Sequence, residues 1–90
     1  MTIILKSNNP EVREKIRTSG IKLCKCTEFK DSVWLDYHPG CTDSVHGVGY
    51  YGDEMGTKSV QEELDRFVSE CKYPIYCKDV DDFIAKIKTH

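Results

Sequence analysis

The chain has 90 residues, of which 31 % are charged and 39 % hydrophobic, and its thirteen Lys and Arg against fifteen Asp and Glu leave a net charge of −2. No basic block is present, which argues against a phosphate-tracking nucleic-acid surface, and no apolar run approaches the ~20 residues needed to cross a bilayer. The opening MTIILKSNNP lacks the charged n-region and cleavage site of a leader, so the expectation is one cytoplasmic domain over 1–90, able to bury roughly 60 to 65 % of its unfolded surface.

TIILK at 2–6 is an apolar, β-branched run suited to a strand covered on both faces. NNPEVREKIRTSG follows with its own punctuation: Asn9 as N-cap, Pro10 at the first helical position, Glu11 in the first turn and Gly20 past the end. IKLCKCTEF (21–29) and SVWLDYH (32–38) read as two strands joined by a hairpin at Lys30-Asp31. Alternation puts Val33, Leu35 and Tyr37 on one face of the second and Trp34, Asp36 and His38 on the other, with Asp36 as the polar member of an alternating strand. Pro39-Gly40 turns the chain, and SVHGVGYY (44–51) returns as a third antiparallel strand.

TKSVQEELDRFVSECK carries Val60, Leu64, Phe67, Val68 and Cys71 at helical spacing, with Ser59 and Glu62 as a capping box. YPIYC (73–77) is a brief strand whose Pro74 favours its start or an edge, and Asp79 caps a last helix with Val80, Phe83, Ile84 and Ile87 on one face. The order β-α-β-β-β-α-β-α predicts an α+β domain: one mixed sheet with helices packed against it, strands 1 and 2 parallel and a meander following. A ferredoxin-like arrangement with additions is one such architecture.

Gly47, Gly49 and Gly52 match G-x-G-x-x-G by letter. A dinucleotide site needs a buried parallel strand before the first glycine and a helix N-terminus at the third. Here a turn precedes the tract, the next helix start is Ser59, and Asp79 stands 32 positions after Gly47, where about 20 is expected. Gly47 and Gly49 read better as bare positions on one strand face, open to close approach by a bulky neighbour such as Trp34 or a helix, with Gly52 in the turn that follows.

Five cysteines, an odd number, read as reduced thiols. Cys24, Cys26, His38, Cys41 and His46 have the donor chemistry of a zinc site without the usual knuckle spacing, so buried small hydrophobes and surface histidines describe them better, and no cofactor is expected. Cys41 between two histidines lacks a third orienting group and an oxyanion device, so a nucleophilic thiol is not established by the pattern. The expected function is a non-enzymatic binding domain with a protein partner or a second copy, acting through His38, His46, Gly47, Gly49, Tyr50 and Tyr51 near a sheet edge. The alternative is a small-ligand binder, or a minimal thiol- or metal-dependent enzyme, using His38, Cys41, His46 and Tyr50.

Overall fold

The computed structural model describes residues 1–28, 34–48, 60–71 and 73–89, the side chains of 26, 28, 60, 61, 63 and 64 excepted. Strand β1 (Thr2–Leu5) leads into helix α1 (Pro10–Thr18), followed by β2 (Lys22–Leu23), β3 (Trp34–Tyr37), β4 (Ser44–Val48), α2 (Val60–Glu70), β5 (Pro74–Cys77) and α3 (Val80–Lys88). The five strands form one mixed sheet in the order β2-β4-β3-β1-β5. It is the α+β architecture that the order of elements predicts.

Local chemistry explains the helix starts. The Asn9 side chain accepts the Val12 N–H at 2.9 Å and Asp79 accepts the Asp82 N–H at 2.8 Å, each satisfying a donor that the first turn leaves orphaned. Gly20, at φ +87°, takes the left-handed conformation that ends α1. Ser59, proposed to cap α2, lies outside the described residues.

Strand β3 pairs antiparallel with both β1 and β4, whereas β5 lies parallel to β1 and β2 parallel to β4. Strands 1 and 2 therefore run in the same direction, as the first β-α-β step predicts, but both strands of the β3–β4 hairpin separate them. A ferredoxin-like split unit would place one strand there.

The strand expected over 21–29 is the main correction. Among the described residues of that stretch only Lys22–Leu23 is strand, and β2 pairs with β4 rather than with β3, while Lys30-Asp31 lies outside the described residues. Residues Lys25–Glu28 form a 3-10 turn instead. Thr27 causes it: its backbone N–H (3.1 Å) and its hydroxyl (2.8 Å) both donate to the Cys24 carbonyl, a local arrangement that competes with a sheet ladder. Asn8 fastens the turn by donating to the Thr27 carbonyl at 2.9 Å.

The pleat separates two faces. On one, Ile3, Leu5, Leu35, Val45 and Cys77 pack with Ile16 of α1 and Phe83 and Ile87 of α3 to form the main core. The opposite face carries Thr2, Ile4 and Lys6 beside His38, Asp36 and Trp34, as the β1–β3 register requires. Ile4 is fully buried there, so β1 is covered on both faces, as its unbroken apolar run predicts. Lys6 extends over the rings of Trp34 (4.8 Å) and Tyr76 (4.6 Å). None of the described helices is long and apolar enough to cross a membrane.

Candidate functional site

Asp36 occupies the middle of β3, opposite Ile4 on one side and His46 on the other. The alternation that places it with Trp34 and His38 holds, and this polar member of the strand is nonetheless buried: Asp36 is 4 % exposed. The reason is the partner strand. Because β1 is covered on both faces, its neighbour β3 shares that cover, and a polar residue at the centre of the second face is buried with Ile4.

Burial of a carboxylate is costly unless it is paired, and Asp36 is paired once. Its Oδ2 lies 2.7 Å from His38 Nε2, while Oδ1 is buried without a hydrogen-bond partner among the described residues. Burial pushes the Asp36 carboxyl above its ordinary value of 3.8, with His38 and His46 pulling in the other direction. The second nitrogen of His38, Nδ1, is 3.2 Å from the Thr2 hydroxyl on the adjacent strand. With Asp36 ionised and His38 neutral, this geometry fixes one tautomer: Nε2–H donates to Asp36, and Nδ1 accepts the Thr2 O–H. Beside Thr2, the Cys71 thiol is pushed up mainly by burial, with Thr2 pulling in the other direction.

A cleft of about 370 Å³ opens beside this chain of contacts. The start of β1 contributes Met1 and Thr2, and the turn after β3 contributes His38 and Cys41. The end of α2 contributes Phe67, Glu70 and Cys71. The turn is local: Cys41 and Thr42 both donate their N–H groups to the His38 carbonyl at 3.1 Å, and Gly40 adopts φ +81° between them. Cys41 is exposed and Cys71 half-buried on the cleft wall.

The predicted site residues are thus divided. His38 and His46 share the Asp36 face, and Cys41 joins His38 at the cleft. Gly47 lies opposite Leu35 on the core face, whereas Trp34 lies opposite Val48 on the other, so Trp34 is not the neighbour that approaches the glycine. Gly47 also sits in an antiparallel strand, which is the wrong setting for a dinucleotide turn. Strand β4 has neighbours on both sides, β3 and, at Ser44 and Val45, β2. Gly49, Tyr50 and Tyr51 lie outside the described residues.

Of the zinc candidates, Cys24 stands beside β2, its N–H donating to the Val45 carbonyl at 2.8 Å, and the Cys26 side chain is outside the described set. No three His, Cys, Asp or Glu side chains among the described residues are grouped to hold a metal ion. Sequence reasoning reads Asp36 as an ordinary polar strand residue rather than as the third group that orients a histidine, and it misses Thr2 and Cys71 as site residues. The signal for Asp36 was available in the TIIL run: a strand covered on both faces imposes the same cover on any strand it pairs with.

Comparison with known proteins finds no matching family model, no matching curated protein and no matching solved structure. The fold and the cleft together define an α+β domain with a buried Asp–His pair at the wall of a small concave site.

Proposed function

We propose that the chain is a small-molecule-binding domain whose site is the cleft between the start of β1, the turn after β3 and the end of α2. The observation that carries this reading is the Asp36–His38 pair. A buried carboxylate with one oxygen unpartnered among the described residues costs stability that an apolar residue would not, and such departures from good local packing concentrate at functional sites. Its effect is to hold one imidazole in one orientation beside a concave, partly apolar surface, the usual form of a ligand site. The ligand that fits has a small apolar body to lie against Met1 and Phe67 and one hydroxyl or carbonyl to exchange hydrogen bonds with His38 and Thr2. Acetanilide is a suitable probe: saturable amide shifts at Thr2, His38, Cys41, Phe67 and Cys71 support the assignment, and unchanged resonances there at millimolar probe reject it.

A second reading, docking of a protein partner or a second copy, is favoured by a different region. Strand β5 is a sheet edge, and Tyr73 (80 % exposed) and Tyr76 (43 %) present aromatic surface beside it. Light scattering across a hundredfold range of concentration separates the two: a strict monomer removes self-association and leaves the cleft reading intact.

A further inference from the structure

Both nitrogens of His38 are engaged, Nε2 with buried Asp36 at 2.7 Å and Nδ1 with the Thr2 hydroxyl at 3.2 Å, and Thr2, though only 4 % exposed, is one of the residues that line the cleft. A hydroxyl, an imidazole and a buried carboxylate linked in this order form the constellation of nucleophile, base and orienting group. Here the ring is reversed, with the carboxylate on Nε2 and the hydroxyl on Nδ1, which is chemically equivalent because neutral imidazole can carry its proton on either nitrogen. We propose that Thr2 is an acyl-accepting nucleophile activated by His38, and that the cleft takes carboxylic esters with a small apolar acyl group. The proposal rests on the reading of the cleft as a small-molecule site.

The step balances within these groups. Thr2 Oγ1 forms a bond to the ester carbonyl carbon as its proton passes to His38 Nδ1, and Asp36 stabilises the resulting imidazolium. The bond from that carbon to the leaving oxygen breaks, and the leaving oxygen takes the proton from Nδ1. Water then attacks the acyl-Thr2 ester, giving a proton to Nδ1, and the Thr2–acyl bond breaks as Oγ1 recovers it. The products are a carboxylic acid and an alcohol or phenol.

The surroundings select the substrate class. No Lys or Arg side chain is among the described residues that line the cleft, so none of these side chains can clamp a phosphoryl group. The N–H groups of Cys41 and Thr42 are committed to the His38 carbonyl and are not available to a developing oxyanion. Losing one such donor typically costs about a hundred- to a thousandfold in rate, so good leaving groups are required and acylation outpaces turnover. Asp36 is a positioning residue here, and Thr2 and His38 are the catalytic ones.

The test is p-nitrophenyl acetate with the full chain, followed by peptide mass mapping. The expected result is a nitrophenol burst of one equivalent with the acetyl group on Thr2. It should be retained in Thr2→Ser, absent in Thr2→Val and slowed roughly hundredfold in His38→Gln. Asp36→Asn, which no longer holds the required tautomer, should slow acylation and alter its pH profile. Acetyl groups confined to Cys41, lysines or the terminal amine, with Thr2 unmodified, overturn the proposal. Acetanilide, whose amide does not acylate, separates this failure from the broader one: if it perturbs the cleft while Thr2 remains unacylated, the cleft binds ligands and only the nucleophile is wrong.

Discussion

The carboxylate of Asp36 meets His38 Nε2 at 2.7 Å through one oxygen and leaves the other buried and without a hydrogen-bond partner among the described residues. That asymmetry makes Asp36 the residue at which stability and function should separate. Its carboxyl is pushed up by burial, so the folded state binds a proton more tightly than the unfolded state, whose value is near 3.8. Folding is then favoured at low pH, and this contribution is lost as pH rises from about 3.8 through the raised folded value. Asp36→Asn should therefore be more stable than the parent at pH 7, by about 1–2 kcal/mol, with the advantage vanishing toward pH 4. Urea unfolding at both pH values checks it, and a destabilised Asn variant at pH 7 would show that the ionised carboxylate stabilises the fold.

Removing the other partner should act in the opposite direction. His38→Ala leaves Asp36 buried without its bond to the imidazole and should cost about 2–4 kcal/mol at pH 7. In an Asp36→Asn background the same change should cost at least 1 kcal/mol less, roughly, because no charge is then left unpaired. A double-mutant cycle measures the difference, and additive losses would mean that the two side chains do not interact.

The thiols should differ in alkylation rate. Cys41 is exposed on the cleft rim, Cys71 is half-buried, and Cys77 is buried, with burial pushing up the thiols of both Cys71 and Cys77. Only the thiolate reacts, so with iodoacetamide at pH 8 the expected order is Cys41, then Cys71, then Cys77. Acetanilide should slow Cys41 and leave Cys77 unchanged. Rates read by peptide mapping decide the matter, and Cys77 reacting as fast as Cys41 would contradict the packing of β5.

Thr27 should prove disproportionately important for a residue in a short turn. Its hydroxyl is fully buried and donates to the Cys24 carbonyl at 2.8 Å, so Thr27→Val, which keeps the shape and loses the donor, should cost about 1–2 kcal/mol. A loss below about 0.3 kcal/mol in urea unfolding would show that the backbone bonds alone hold the turn.

Much of this architecture is legible in the sequence because local chemistry writes it there. Asn9 and Asp79 cap their helices, Pro10 begins α1, Gly20 ends it, and TIIL is buried on both faces. The failures share a physical cause: pairing between distant strands leaves no local mark. From residues 21–29 alone, alternation looks like a strand, and only Thr27 turning back onto Cys24 converts its second half into a 3-10 turn. Asp36 looks like the ordinary polar member of an alternating strand until β3 is placed beside β1. The same pairing brings Thr2 against His38 and so assembles a chain of contacts from residues 36 positions apart. His38, His46 and Cys41 were marked in advance by residue type, whereas Thr2 and Cys71 look like ordinary strand and helix-end residues until the sheet order is known.

The central claim, that the cleft beside His38 is a small-molecule site, is tested most directly by two-dimensional amide NMR of the full chain titrated with acetanilide. The account predicts saturable shifts centred on Thr2, His38, Cys41, Phe67 and Cys71, weakened in Asp36→Asn although that variant is the more stable protein. Shifts centred instead on Tyr73 and Tyr76 of the β5 edge, or a spectrum unchanged at saturating probe, would contradict it.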